Sequence, residues 1–119
     1  MVNPNNWTDK TTEIFTSAQS LAVDNQNAQL SPIHLMCAFF DDPASIACSA
    51  AQKLNFDVKN IERIFKKHLA RLPTQSPPPD SPSLNQNSLE ALKRADELKT
   101  NNNDSLLDVD YIFQALLEV

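Results

Sequence analysis

Apolar residues recur along this chain with the period of a helix. Ile14, Phe15, Ala18, Leu21 and Ala22 fall on one helical face. Thr8 is placed to cap that helix and Asp9 suits its positive end; the helix should close near Val23 to Asn25. The stretch LSPIHLMCAFF, Leu30 to Phe40, opens a second helix, with Ser31 at the N-cap and Pro32 at the first position, where a missing N–H costs nothing. Asp42-Pro43 repeats that signal and predicts a third helix to about Lys53, with Ile46, Ala47, Ala50, Ala51 and Leu54 inward. Asp57 caps a fourth to about Arg71, on a face of Val58, Ile61, Ile64, Phe65 and Leu69. The segment TQSPPPDSP reads as a linker whose three prolines favour an extended polyproline form. A fifth helix, about Gln86 to Lys99, turns Ala91, Leu92, Ala95 and Leu98 inward, and a sixth runs from about Val109 to Glu118. No strand alternation of useful length is visible, so the fold class is all-α.

The pattern is written twice. LDVDYIFQALL, Leu107 to Leu117, matches the Leu30 stretch at an offset of 77 residues, and the same offset carries the first helix onto the fifth without a gap. Trp7 lands on Leu84, Thr8 on Asn85, Thr11 on Ser88 and Phe15 on Leu92; Ser31 lands on Asp108, His34 on Tyr111 and Leu35 on Ile112. Cap matches cap and core matches core, which predicts one ancestral helical unit copied and stacked as a pseudo-twofold bundle. A single domain over 1–119 follows: repeat one over about 7–72, the linker over 73–82, and a partial second repeat over about 83–119. Helices three and four have no counterpart before Val119, so the second repeat reads as incomplete, with Leu116 and Leu117 uncovered and prone to self-association.

Composition narrows the chemistry. The chain has 119 residues, a net charge of −5 and no glycine. Without glycine there is no phosphate-cradling loop, so nucleotide binding by this chain is not expected. Helix ends must be closed by other residues, and Asp24, Asn25, Asn27, Asn55 and Asn101 to Asn103 fit that need. Cys37 and Cys48 sit among apolar neighbours at no metal-binding spacing and read as buried free thiols. No apolar run approaches the ~20 residues of a membrane helix, and the N-terminus carries no signal-peptide pattern.

The stretches WTDKTTEIFTSAQSLA, LSPIHLMCAFF, RLPTQSPPPD and DSLLDVDYIFQALLE together resemble the N-terminal domain of the Clp-type AAA+ chaperones, the ring-forming disaggregases of the ClpB heat-shock family. That family domain has two repeats of a four-helix unit. The resemblance implies a non-enzymatic, substrate-binding module on a hexameric ATPase ring. It would engage unfolded or aggregated client polypeptides in the cytoplasm, with no cofactor, metal, nucleic acid or membrane partner. Carried over by residue, the polar peptide-binding positions are Thr8, Asp104 and Asp110, and the apolar groove includes Leu92, Leu98 and Tyr111. Arg94 stands where some relatives have an apolar groove residue. The protease-linked branch of the family implies the alternative, docking of a folded adaptor.

Other candidates carry bland readings beside functional ones. His34 reads as a core histidine bonded to a nearby carbonyl or hydroxyl, and His68 as a surface one. Trp7 reads as a packing residue. Asp104, Asp108 and Asp110 cluster near the sixth helix; paired carboxylates can serve acid–base chemistry, but Asp108 is also an N-cap, and Asp110 is placed for a hydrogen bond with Thr8. Lys59, Arg63, Lys66, Lys67 and Arg71 are half of the ten basic residues. They form either a solvated face or a docking surface; a nucleic-acid reading lacks interleaved aromatics.

Overall fold

The computed structural model describes residues 4–77 and 79–118. Pro78 of the polyproline segment and the ends of the 1–119 domain lie outside the described residues. Among the described residues six α-helices form: α1 (Asp9–Asp24), α2 (Pro32–Asp41), α3 (Ile46–Lys53), α4 (Val58–Leu69), α5 (Gln86–Asn101) and α6 (Val109–Glu118). Thr8, Ser45, Asp57 and Asn85 cap α1, α3, α4 and α5 through side-chain oxygens that accept free first-turn N–H groups. The α3 start differs from the expectation. Asp42 bonds the Ala44 N–H and closes a turn, and Ser45 becomes the cap, so the helix begins at Ile46. Leu54 and Ile64 were expected inward and are exposed: Leu54 falls past the end of α3, as its C-cap, and Ile64 lies on the open side of α4.

Two features were not predicted. Two-residue strands β1 (Gln29–Leu30) and β2 (Ser83–Leu84) pair in parallel, and Trp7 bridges Leu107 in the same sense. Neither is long enough to show alternation in the sequence. At the end of α1 the left-handed residue is Gln26 (φ 57°), not an asparagine; Asn55 (φ 61°) and Asn103 (φ 59°) hold the equivalent position elsewhere. The linker is tied back to the first half, since the Asn27 side-chain amide donates to the Pro73 carbonyl at 3.0 Å and the Gln75 N–H to Gln26 at 2.7 Å.

The bonds between the halves repeat at the 77-residue offset. Thr11, fully buried, donates from its hydroxyl to the Leu107 carbonyl at 2.9 Å; Ser88, fully buried, donates to the Leu30 carbonyl at 2.9 Å. The Thr8 N–H reaches Leu107 at 3.0 Å and the Asn85 N–H reaches Leu30 at 2.9 Å. Asn25 and Asn102 each fold a side-chain amide back onto the carbonyl four residues earlier, at 2.8 Å. Each half supplies to the other what it receives, as a twofold relation requires. One core runs through both halves. Ile14, Phe15 and Leu35 join Ala91, Leu92 and Ile112 there, with Phe39 packed against Phe113 and Trp7 stacked on Phe15. The fold is the expected all-α duplicated bundle.

Candidate functional site

The first turn of α6 gathers most of the predicted polar positions. Val109 draws its N–H to Asp108 Oδ1 at 2.8 Å, so Asp108 anchors the helix start. The same oxygen accepts the Thr8 hydroxyl at 2.9 Å. Thr8 is therefore joined to Asp108, where Asp110 had been expected. The chain crosses from Asn6 to Leu107 one residue earlier, which sets Thr8 level with the helix cap. Asp110, two residues on, stands exposed on the rim of an open cleft.

That cleft, about 570 Å³, lies where α1 and the end of α2 meet α3 and the start of α6. Ile46 and Val109 supply its apolar surface, above the buried Ile14 and Phe39, while Lys10, Glu13, Asp42 and Asp110 supply the polar part. On the same helix, Tyr111 donates its hydroxyl to Asp104. This bond pushes the phenol up to about 12, because ionisation would place a second negative charge beside the carboxylate. The apolar pair is placed differently. Leu92 and Leu98 are buried at 6% and 8% exposure, on the face of α5 turned to the core. Leu106 and Leu117 expose far more apolar surface. Arg94 reaches across to Glu118 at 3.1 Å and binds Glu97 on its own helix, which holds its guanidinium still further on the charged side. These partners leave the half-buried Arg94 spanning α5 and α6 at the surface.

The carboxylates are thus engaged structurally: Asp104 with Tyr111, Asp108 with Thr8 and the α6 backbone. Among the described residues, no group of three or more His, Cys, Asp or Glu side chains is placed to hold a metal ion. Cys37 and Cys48 are buried free thiols, and burial pushes Cys37 up to about 11, away from nucleophilic use. Among the described residues no helix is long and apolar enough to cross a membrane.

His34 is a core histidine bonded, as expected, to a carbonyl oxygen, that of the Asn27 side chain, and to the Ser31 hydroxyl at 3.2 Å, with the Ser31 backbone N–H as a further partner. Nδ1 accepts the Ser31 N–H at 2.9 Å, which leaves the proton on Nε2 to donate to Asn27 Oδ1 at 2.8 Å. Burial lowers its pKa, and a ring protonated at Nδ1 could no longer accept from Ser31. The 77-residue offset relates this pair to the other: His34 to Tyr111 and Asn27 to Asp104. The signal was in the sequence, in the second member of each pair.

Residues 6–119 match the family described as the Clp repeat (R) N-terminal domain. Heat shock protein hsp98 of Neurospora crassa is 30% identical over 99% of this chain. The chain spans 14% of that relative's length. The solved Hsp104 N-terminal domain from Candida albicans superposes with a TM-score of 0.87 at 31% identity, covering 95% of this chain and 74% of that one. A complex of a ClpV N-domain with a VipB peptide shares the fold at a TM-score of 0.80 and 16% identity, over 96% of this chain and 69% of that one.

Proposed function

The chain belongs to the Clp repeat N-terminal domain family, and from that premise we propose that it captures extended, unfolded segments of client polypeptides for an ATP-driven ring. The observation that carries this reading is the open cleft of about 570 Å³ at the junction of the two repeats, lined by both apolar and polar residues. An extended segment brings apolar side chains and unpaired backbone N–H groups together. Ile46 and Val109 meet the first, above the buried Ile14 and Phe39, and the exposed Asp110 and Glu13 carboxylates accept from the second. Tyr111 and Asp104 continue the polar edge along α6. Leu92 and Leu98, buried on the inner face of α5, line no part of the cleft. The ClpV N-domain carrying a VipB peptide supports peptide capture as a use of this fold.

The cleft is shallow and open, so affinity is low. A disordered client also loses chain entropy on ordering, which weakens binding further. Weak capture suits a module that must release its client to the ring. In this reading, nucleotide hydrolysis belongs to AAA+ modules of a hexamer, working in the cytoplasm, and the 119 residues themselves turn nothing over.

The test is a titration of isotopically labelled chain with a permanently unfolded polypeptide, followed by backbone NMR. Shifts should concentrate on Glu13, Ile46, Asp110 and Tyr111, and Asp110→Lys should weaken binding several-fold. A silent cleft would end the reading. If the affinity instead tracked one folded partner and ignored client unfolding, the adaptor-docking alternative would replace it.

A further inference from the structure

The outer face of α4 has no role in the site described above, and none of its residues lines the cleft. Lys59, Arg63, Lys66 and Lys67 are all exposed there, with Arg71 in the turn that follows. Glu62 is the lone carboxylate between Lys59 and Arg71, in a chain of net charge −5. Among the described residues none of these five cations makes an ion pair; Arg63 bonds only the Asn60 side chain. Lys59, Arg63, Lys67 and Arg71 stand four residues apart, the spacing at which like charges repel along a helix. Exposed apolar residues flank them. Leu54 and Phe56, at 64% and 59% exposure, occupy the turn into α4, and Ile64, at 42%, lies on the helix itself. Among the described residues, three of the six large apolar residues left exposed thus lie in the stretch that carries half of the basic ones.

We propose that this face is a second binding surface, whose partner is an acidic polypeptide segment with apolar side chains interleaved among its carboxylates. Charge complementarity selects the acidic character, since a partner would relieve the repulsion along α4. Leu54, Phe56 and Ile64 select the apolar character and would lose their exposure to water. The basic stripe from Lys59 to Lys67 is about 12 Å long, a span that three or four extended residues of a partner would cover. A polypeptide fits better than an anionic membrane, because a flat negative surface would also meet the acidic remainder of the chain.

The experiment uses the labelled chain and a soluble synthetic peptide of Glu-Glu-Leu repeats, with a Gln-Gln-Leu control. Resonances of residues 54–71 should shift while those of the cleft stay still, and the control should not bind. Raising salt from about 50 to 300 mM should weaken binding several-fold. The triple variant Lys59→Glu, Arg63→Glu, Lys67→Glu should weaken it about tenfold or more. The triple variant to Gln, which adds no new charge, should show an intermediate loss, and circular dichroism verifies that both remain helical. Ile64→Ser should weaken binding at unchanged salt dependence. Equal binding of the control peptide, or unchanged affinity of the charge-reversed chain, overturns the proposal. So does a face that ignores the peptide but responds to phosphatidylserine vesicles or to single-stranded DNA. Because the cleft and α4 give separate resonances, this surface and client capture fail independently.

Discussion

Phe40 and Leu117 hold the same place in the two halves, 77 residues apart, yet Phe40 is 6% exposed and Leu117 is 64% exposed. The difference is α4. It lies along α2, and Phe65 packs its ring 5.6 Å from that of Phe40; among the described residues α6 has no such cover. One step back along the same helices, Phe39 and Leu116 are both buried, because that face meets the shared core. Equivalent residues therefore divide by what lies opposite them: the face toward the twofold relation is treated alike, and the outer face is not. The expectation that Leu116 and Leu117 would both lie open holds for Leu117 alone.

Substitutions in pairs sharpen this contrast. Phe39→Ala should cost about 4 kcal/mol, with Leu116→Ala close behind at about 3, read by urea denaturation. Similar losses would show that both halves unfold as one unit. Phe40→Ala should cost about 3 kcal/mol, while Leu117→Ala should stay within about 0.5. A large loss at Leu117 would reveal that α6 is covered in solution, and sedimentation would then show self-association.

The reciprocal hydroxyl bonds should fail equally. Thr11→Val and Ser88→Ala each remove one of the two hydrogen bonds that a carbonyl of the other half accepts, leaving the Thr8 or Asn85 N–H in place, at a cost of about 1 kcal/mol each. Unequal costs would break the symmetry that the bond lengths display.

The smallest effects lie in pH. His34 is held below its ordinary pKa in the folded chain, so the unfolded chain binds the extra proton more readily. Its contribution is complete above about pH 6.5 and is lost as the pH falls through the lowered folded value. Tyr111 runs the other way: with its phenol pushed up to about 12, its contribution holds below about pH 10 and fades between there and 12. NMR titration should find His34 deprotonated unusually far into acid, and Asp104→Asn should bring Tyr111 back toward its ordinary range. The two pairs occupy equivalent places, so the comparison isolates what burial adds. His34 with Asn27 is sealed in the interior, and Tyr111 with exposed Asp104 faces water.

Much of this was legible along the chain. Helical period gave the faces of α1 and α5, and capping chemistry gave the starts of α1, α2 and α4, because both depend on residues a few positions apart. Gapless repetition gave the duplicated architecture. The α3 start was misread because Asp42-Pro43 and Ser45 both carry starting signals, and the choice belongs to the Ser45 hydroxyl, which donates to the Phe39 carbonyl and so fixes where the turn ends. The site was legible only in part. The Thr8 partner lies two positions from the expected one, and Leu92 and Leu98 are buried on the inner face of α5.

What the sequence determined by itself is the local grammar: which segments coil, which face of each is apolar, and that the second half restates the first. Tertiary structure decided which of two neighbouring aspartates meets Thr8, which leucines are covered, and where a cleft opens. The reason is physical range. Periodicity and capping act within a turn or two of helix, whereas exposure and pairing depend on atoms about a hundred residues away, as between Thr8 and Asp108, whose approach only the packed halves can set.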